Sequence, residues 1–298
     1  MNSYRLQAKG NPIATPRRAG FTLVEIMVVI GILALMITLS LTTYGYVIAN
    51  AKEKATKATI KKISMALAHR MEAFNRGINK QNLAAGSGRP AYITFQNWNK
   101  YGSDLAKVMG RKDLFRDNFP QTFAEHLTAS EQSTATLTSA AKRAASAEVL
   151  YLFLSSGVSF GEDISDSTSF NANELRDTDG DGVQELVDAW GNPLRFYRWP
   201  TSMISSGDSN LLIRTKASTK DPDDPLGLIT ATSVPNFATN YHAIDSWHTP
   251  LVVSAGEDGV LGLYEPADTS NNGNLAAPTG VSEDLFDNIS NLNLQGGG

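Results

Sequence analysis

The sequence predicts an α+β fold, with a long N-terminal helix packed on a small antiparallel sheet and a helical insertion between the two. Three observations lead to this prediction. An uncharged apolar run near the N-terminus continues into apolar residues at helical spacing. The middle of the chain is rich in alanine. In the C-terminal part, short apolar runs follow turn-forming Asp, Gly and Pro residues, a pattern typical of β-strands.

The composition excludes several classes of protein. The 298 residues are 42% hydrophobic and 19% charged, which is typical of a globular chain with one or two domains. Because the sequence contains no cysteine, it excludes a disulfide scaffold, a zinc-thiolate site, a thiol nucleophile and an iron–sulfur cluster. It also lacks a nucleophile elbow, a P-loop and a dinucleotide-binding fingerprint, so we expect no enzymatic activity.

Charge is distributed unevenly along the chain. Residues 1–156 contain 20 Lys and Arg against 9 Asp and Glu, whereas residues 157–298 contain 6 against 21. The acidic half would repel phosphate groups, so we expect no nucleic acid among the partners. The same excess of carboxylates favours bound cations.

The first 20 residues predict a leader segment. They carry four basic residues and no acidic one, and their two prolines disfavour a helix. Residues 26–51 contain no charged residue. A helix of this length, at about 1.5 Å per residue, is long enough to cross a hydrocarbon core of about 30 Å. A membrane is therefore an expected partner. Ala49 and Ala51 match a signal-peptidase pattern, but the apolar run before them is too long for that class of signal.

A short motif joins the leader to the apolar run. The basic pair Arg17-Arg18, then Gly20, Phe21, Thr-Leu-Val, Glu25 and an unbroken apolar helix resemble the class III signal of type IV pilins and type II secretion pseudopilins. The resemblance implies that a prepilin peptidase cuts after Gly20 and that Phe21 is methylated. It also implies a single-pass inner-membrane subunit with a periplasmic C-terminal head, which joins a filament with other copies of itself, other pseudopilins and the inner-membrane secretion platform.

Glu25 is a carboxylate within the apolar segment, where it costs several kcal/mol unless it is paired. Glu25 comes four residues after Phe21, which places it about 6 Å further along the helix axis. After cleavage, the Phe21 ammonium of the same or a neighbouring subunit would be the counter-ion, and this pairing would set the register of a packed bundle. An ordinary signal anchor with an incidental glutamate is the alternative.

The apolar run is predicted to continue as an amphipathic stem, so that residues 21–76 form one helix. Apolar residues recur at spacings of three and four at Ile60, Ile63, Leu67, Met71 and Phe74. We expect this stripe to pack on the head and the helix to end at Gly77; a basic helix lying on a membrane surface is the alternative. Residues 77–170 are predicted to be a mostly helical insertion, and the resemblance to major pseudopilins, which have less chain here, does not cover it.

The acidic region, residues 171–298, contains a pattern typical of a calcium loop. Carboxylates stand at loop positions 1, 3, 5, 9 and 12, with a glycine at position 6, as in EF-hand-like loops. The predicted ligands are Asp177, Asp179, Asp181, Glu185 and Asp188. A turn held by side-chain hydrogen bonds of Asp residues is the alternative.

A second acidic loop and an internal repeat follow. The turn Asp188-Ala-Trp190-Gly-Asn-Pro-Leu recurs as Asp245-Ser-Trp247-His-Thr-Pro-Leu, so we expect two neighbouring turn-and-strand units. Residues 254–268 resemble the pseudopilin loop that binds a structural calcium ion. This resemblance implies one or two calcium ions in total, with additional ligands at Asp258, Glu265 and Asp268. A solvated acidic loop is the alternative.

The sequence therefore favours a pseudopilin that polymerises into a periplasmic pseudopilus for protein secretion. A type IV pilin for adhesion or DNA uptake and a monomeric, signal-anchored binding or enzyme domain are the alternatives. The missing C-terminal disulfide and the likeness of residues 254–268 to the pseudopilin loop favour secretion.

Overall fold

The structure, a computed structural model, describes residues 20–123, 138–155, 158–159, 162–163, 169–201, 221–247, 249–267, 279 and 283–292. The chain divides into two compact units, Met1–Ile48 and Ala49–Gly298. The described part of the first unit is helical after residue 22.

Helix α1 runs from Leu23 to Ala85 without a break. The single long helix confirms the sequence-based prediction, but the predicted end at Gly77 is wrong. Phe74 and Ile78 on either side of this glycine are each about 1% exposed, and their burial offsets the roughly 1 kcal/mol that a glycine costs within a helix. The helix ends just before Gly86, whose φ of +56° is accessible to glycine at little cost.

The first unit exposes a continuous apolar surface. The large apolar side chains from Leu23 to Leu39 are each more than 50% exposed. This part of α1 is long and apolar enough to cross a membrane, and among the residues that the structure describes it is fully exposed. Lipid or other chains must therefore cover it.

The stem part of α1 belongs to the second unit and is packed against protein. Its predicted apolar stripe is largely buried, and the Phe74 ring lies 5.6 Å from Phe115 and 5.9 Å from Phe119. The stripe therefore packs on the head as predicted, and the alternative of a helix lying on a membrane surface is wrong for this segment.

The predicted helical insertion contains three described helices. They are α2 (Phe95–Tyr101), α3 (Ser103–Asn118) and α4 (Ser139–Ser155). Helix α4 packs against two short strands, Glu185–Leu186 and Arg195–Tyr197. Its buried residues include Phe153, whose ring lies 5.5 Å from Phe196. This contact places one face of α4 beside the acidic loop.

Short antiparallel strands complete the α+β fold. Two pairs are formed by β1 (Val158–Ser159) with β2 (Glu162–Asp163) and by β3 (Leu175–Arg176) with β4 (Glu185–Leu186). A three-stranded sheet has the order β5 (Arg195–Tyr197), β6 (Leu251–Ser254) and β7 (Ile289–Ser290). The remaining short elements are α5 and two 3₁₀ helices, at Phe237–Asn240, Ala172–Glu174 and Glu283–Leu285.

The register of the three-stranded sheet explains the internal repeat. Strand β5 follows the first Asp-x-Trp turn and β6 follows the second, and the two strands pair directly, with Phe196 opposite Val252. The prediction of neighbouring turn-and-strand units is confirmed.

A buried cluster of charges attaches the segment after residue 220 to α3. The Lys112 ammonium lies 2.8 Å from Asp221 and 2.7 Å from Asp223, and Arg111 also pairs with Asp223. His242 is fully buried beside this cluster. Burial, with the Lys112 charge, lowers the pKa of His242 to about 3, so the imidazole is neutral.

Candidate functional site

The predicted processing site lies at the start of α1. Gly20 is exposed, and a Cβ atom at this position would meet no other atom within 4 Å. Phe21 is 82% exposed. Because the bond between them is free of steric contacts with the described chain, a change at Gly20 would not disturb the fold.

Glu25 and Thr22 form a reciprocal cap at the N-terminus of α1. The Thr22 amide and hydroxyl donate to Glu25 Oε2 at 2.8 and 2.9 Å, and the Glu25 amide donates to Thr22 Oγ1 at 3.2 Å. This is a capping box, whose spacing Thr-x-x-Glu is visible in the sequence but was not used in the sequence analysis. The carboxylate therefore has a local hydrogen-bond partner before any second subunit is present.

The calcium-loop pattern forms a tight turn between β3 and β4. Asp177 accepts hydrogen bonds from the amides of Gly180 and Gly182 at 2.7 and 3.1 Å, and Asp181 accepts one from Val183 at 2.7 Å. Gly180 and Gly182 have φ values of +82° and +93°, which explains why glycines occupy these positions. The turn brings successive carboxylates to the same side of the loop.

Carboxylates converge here in two groups that share one residue. Glu148, Asp179 and Asp181 form the first group, and Asp177, Asp179 and Glu185 form the second. Within each group, the oxygen atoms that could bind a metal lie within 4.8 Å of one another. Four of the five ligands that the loop pattern predicts are thus brought together.

Asp188 has a different environment from the other predicted loop ligands. Its Oδ1 accepts hydrogen bonds from the amides of Trp190 and Asn192, both at 2.9 Å, and its Oδ2 accepts one from Ser254 Oγ at 2.7 Å. The side chain is buried and belongs to neither group of carboxylates. The structure therefore makes Asp188 the acceptor that holds the first Asp-x-Trp turn, and we exclude it from the candidate metal site.

Glu148 on α4 is the member of the site that the sequence analysis missed. It is only 2% exposed. Burial raises its pKa to about 8, and the charges of Asp181, Asp179 and Glu185 add to the shift. A signal was present in the sequence, because Glu148 continues the spacing of Ala141 and Ala144 along the buried face of an alanine-rich helix.

The second predicted calcium loop is arranged differently from the first. Asp258 is exposed and its Oδ1 accepts a hydrogen bond from the Val260 amide at 2.8 Å. Both oxygens of Glu265 pair with the Arg195 guanidinium, at 2.9 and 3.0 Å. Asp268 lies outside the described residues.

Asp287 is the carboxylate that the fold does bring near Asp258. The Asp258 amide donates to Asp287 Oδ2 at 3.3 Å, and burial raises the pKa of Asp287. Within the described ranges, neither Asp258 nor Glu265 belongs to a group of three acidic residues with metal-binding distances.

Comparison with known proteins adds one finding. The family model described as the prokaryotic N-terminal methylation motif matches residues 15–41, which include Gly20, Phe21 and Glu25. No curated protein and no solved structure matches the chain significantly. With a prepilin-type methylation motif leading into an exposed apolar helix, the chain fits the class of pilin-like proteins that contains type IV pilins and pseudopilins.

Proposed function

We propose that the chain is a pseudopilin subunit of a type II secretion system. The observation that carries the proposal is the methylation motif at residues 15–41, which leads into a helix whose large apolar side chains are exposed from Leu23 to Leu39. A prepilin peptidase would remove residues 1–20 and methylate Phe21. The mature subunit would remain in the inner membrane until it joins a filament.

The charge at Glu25 supports assembly through the N-terminal helix. The capping box contributes about 1 kcal/mol, whereas an unpaired carboxylate in an apolar bundle costs several kcal/mol. Hydrogen bonds from Thr22 therefore stabilise Glu25 at the membrane surface but are insufficient once neighbouring helices surround it. Cleavage creates an ammonium group at Phe21, which supplies the missing counter-ion in a neighbouring copy.

Two features favour secretion over a surface pilus. Residues 254–268 resemble the calcium loop of pseudopilins, and the chain has no cysteine with which to form the C-terminal disulfide common in adhesive pilins. The proposed head lies in the periplasm and contacts other pseudopilins and the inner-membrane secretion platform. The role is structural and includes no catalytic step.

Calcium binding in the head is part of the same proposal. The turn at residues 177–185 brings together four of the carboxylates that the loop pattern predicts as ligands. A bound cation would relieve their mutual repulsion, and the head would become more stable with the logarithm of the free calcium concentration once that concentration exceeds the Kd.

N-terminal mass spectrometry tests the processing step. The full chain would be co-expressed with a prepilin peptidase, and we expect a mature N-terminus at methylated Phe21. Gly20→Ala should remain a precursor, because it changes the residue after which the peptidase is proposed to cut. The structure offers no steric reason for this change to disturb the fold, so a precursor would report on processing alone. Gly31→Ala is the matched control, since its Cβ also meets no atom within 4 Å, and it should be processed normally.

Normal maturation of Gly20→Ala would contradict the proposed signal, as would a native N-terminus at Met1 or just after Ala51. To separate secretion from pilus formation, the gene would be deleted in the source organism. We expect exported enzymes to accumulate in the periplasm. Intact secretion together with loss of surface fibres or DNA uptake would identify a type IV pilin instead.

A further inference from the structure

Glu148 is a buried acid whose polar neighbours are themselves acidic. Its side chain lies on α4, is 2% exposed, and has no hydrogen-bond partner for Oε1 in the part of the chain that the structure describes. Glu185 on β4 is fully buried and its Oε1 also lacks a partner among the described residues. Glu148 and Glu185 also interact with each other, and two buried carboxyl groups this close either share a proton or are neutralised by a cation.

The positions of the oxygens favour a cation. Oxygens of Glu148, Asp179 and Asp181 lie within 4.8 Å of one another. A Ca²⁺ ion binds oxygen at about 2.3–2.6 Å, so two of its ligands are separated by at most about 5 Å. The group therefore has the spacing of oxygens around one ion.

The chemistry of the site selects calcium among divalent cations. Both groups consist of carboxylates alone, without histidine, and the chain has no cysteine, which disfavours zinc. Calcium accepts six to eight oxygens in irregular geometry, whereas Mg²⁺ requires a nearly ideal octahedron. Asp181 is exposed, so water has access to the site and can complete the coordination.

We propose that Glu148 is a ligand of a calcium ion held by the loop at residues 177–185. In an EF-hand loop, the residue at position 12 supplies the closing carboxylate. Here that position is Asp188, whose oxygens hold the Asp-x-Trp turn. Glu148 supplies the closing carboxylate from a separate helix, so that the ion ties α4 to the β3–β4 turn. This inference rests on the calcium binding proposed above and does not depend on filament formation.

Calcium titration of the full chain in detergent tests the assignment. We expect Glu148→Gln to weaken calcium affinity by about tenfold or more, because it replaces a charged ligand by a neutral one of the same shape. Glu148→Asp keeps the charge but shortens the side chain, and its affinity should be intermediate. Asp179→Asn, which alters the residue shared by both groups, should nearly abolish binding at this site.

Glu72→Gln is the matched control, since Glu72 lies on the exposed face of α1 with a side chain 71% exposed. Its calcium affinity should equal that of the wild type. Unchanged affinity in Glu148→Gln, alongside loss in Asp179→Asn, would overturn the proposal. It would also be overturned by a wild-type protein that binds no calcium, or that binds Mg²⁺ as tightly.

Thermal unfolding distinguishes a ligand from a structural acid. In EDTA, Glu148→Gln should melt at or above the wild-type temperature, because glutamine cannot ionise in a buried position where burial and the charges of Asp181 and Asp179 disfavour a carboxylate. In saturating calcium the order should reverse, since the wild type gains more from the ion. A variant that melts below the wild type by the same amount in both conditions would show that Glu148 has only a packing role.

Discussion

A Glu25→Gln substitution keeps the hydrogen-bond acceptor of the capping box and removes the negative charge. Glutamine can replace glutamate at the third position of this motif. The reciprocal change, Thr22→Ala, keeps the charge and removes the hydroxyl that donates to Glu25 Oε2 at 2.9 Å. The two variants therefore separate the cap from the proposed ion pair.

The expected sizes of the two effects differ. Loss of a cap costs about 1 kcal/mol at one helix end, which changes an equilibrium by less than about tenfold. Removing one partner of a buried ion pair costs about 3–5 kcal/mol, because the Phe21 ammonium of the neighbour is left uncompensated. This corresponds to a loss of about two to four orders of magnitude in association of Glu25→Gln subunits.

The assay compares filaments, sedimented after the periplasmic contents have been released, with the membrane fraction by quantitative immunoblotting. Mass spectrometry would first establish that all variants are cleaved and methylated to the same extent, so that assembly alone is compared. We expect Thr22→Ala to yield filaments near the wild-type level and Glu25→Gln to yield almost none. Wild-type yield in Glu25→Gln, or an equally severe loss in Thr22→Ala, would refute the ion-pair argument.

Two further predictions concern the buried charge cluster in the head. Lys112→Met should lower the free energy of unfolding by about 3–5 kcal/mol, because it removes the positive charge that Asp221 and Asp223 pair with in the core. Arg76→Gln, which breaks an exposed ion pair, is the control and should cost less than about 1 kcal/mol. Denaturant unfolding in detergent measures both free energies. The low pKa of His242 means that the unfolded chain takes up a proton near pH 6.5 and the folded chain only near pH 3, so stability falls as the pH falls between these values. Relative to His242→Gln, the wild type should lose stability by about 1 kcal/mol per pH unit between pH 6 and pH 4. If the free energy of unfolding changed with pH at the same rate in both proteins, His242 would be protonated in the folded chain over this pH range.

Local patterns in the sequence were sufficient to predict the main elements. The apolar run and the stripe from Ile60 to Phe74 predict one helix, because helix formation follows from spacing along the chain. The repeated Asp-x-Trp turns predict neighbouring strands for the same reason, and β5 pairs with β6. The end of α1 was misplaced because the burial of Ile78 depends on the packing of the head, which no local pattern contains.

The candidate metal site shows where such reasoning stops. Spacing within the loop identified Asp177, Asp179, Asp181 and Glu185, which lie close together in the sequence. Glu148 precedes the loop by almost 30 residues and joins it only because α4 packs on β4. Asp188 matches the loop pattern equally well, but a buried serine from β6 takes one of its oxygens. The inclusion of Glu148 and the exclusion of Asp188 both depend on contacts between segments that are distant in the sequence.

In the assembly proposed above, the exposed apolar surface of α1 would constrain how a subunit leaves the bilayer. More than ten large apolar side chains between Leu23 and Leu39 are exposed, and transferring them to water would cost on the order of tens of kcal/mol. Extraction and docking would therefore have to be one event without a solvated intermediate. Each helix would exchange lipid contacts for contacts with neighbouring helices as it moves outward, which would place the growing end of the proposed filament directly above the point where the subunit leaves the membrane.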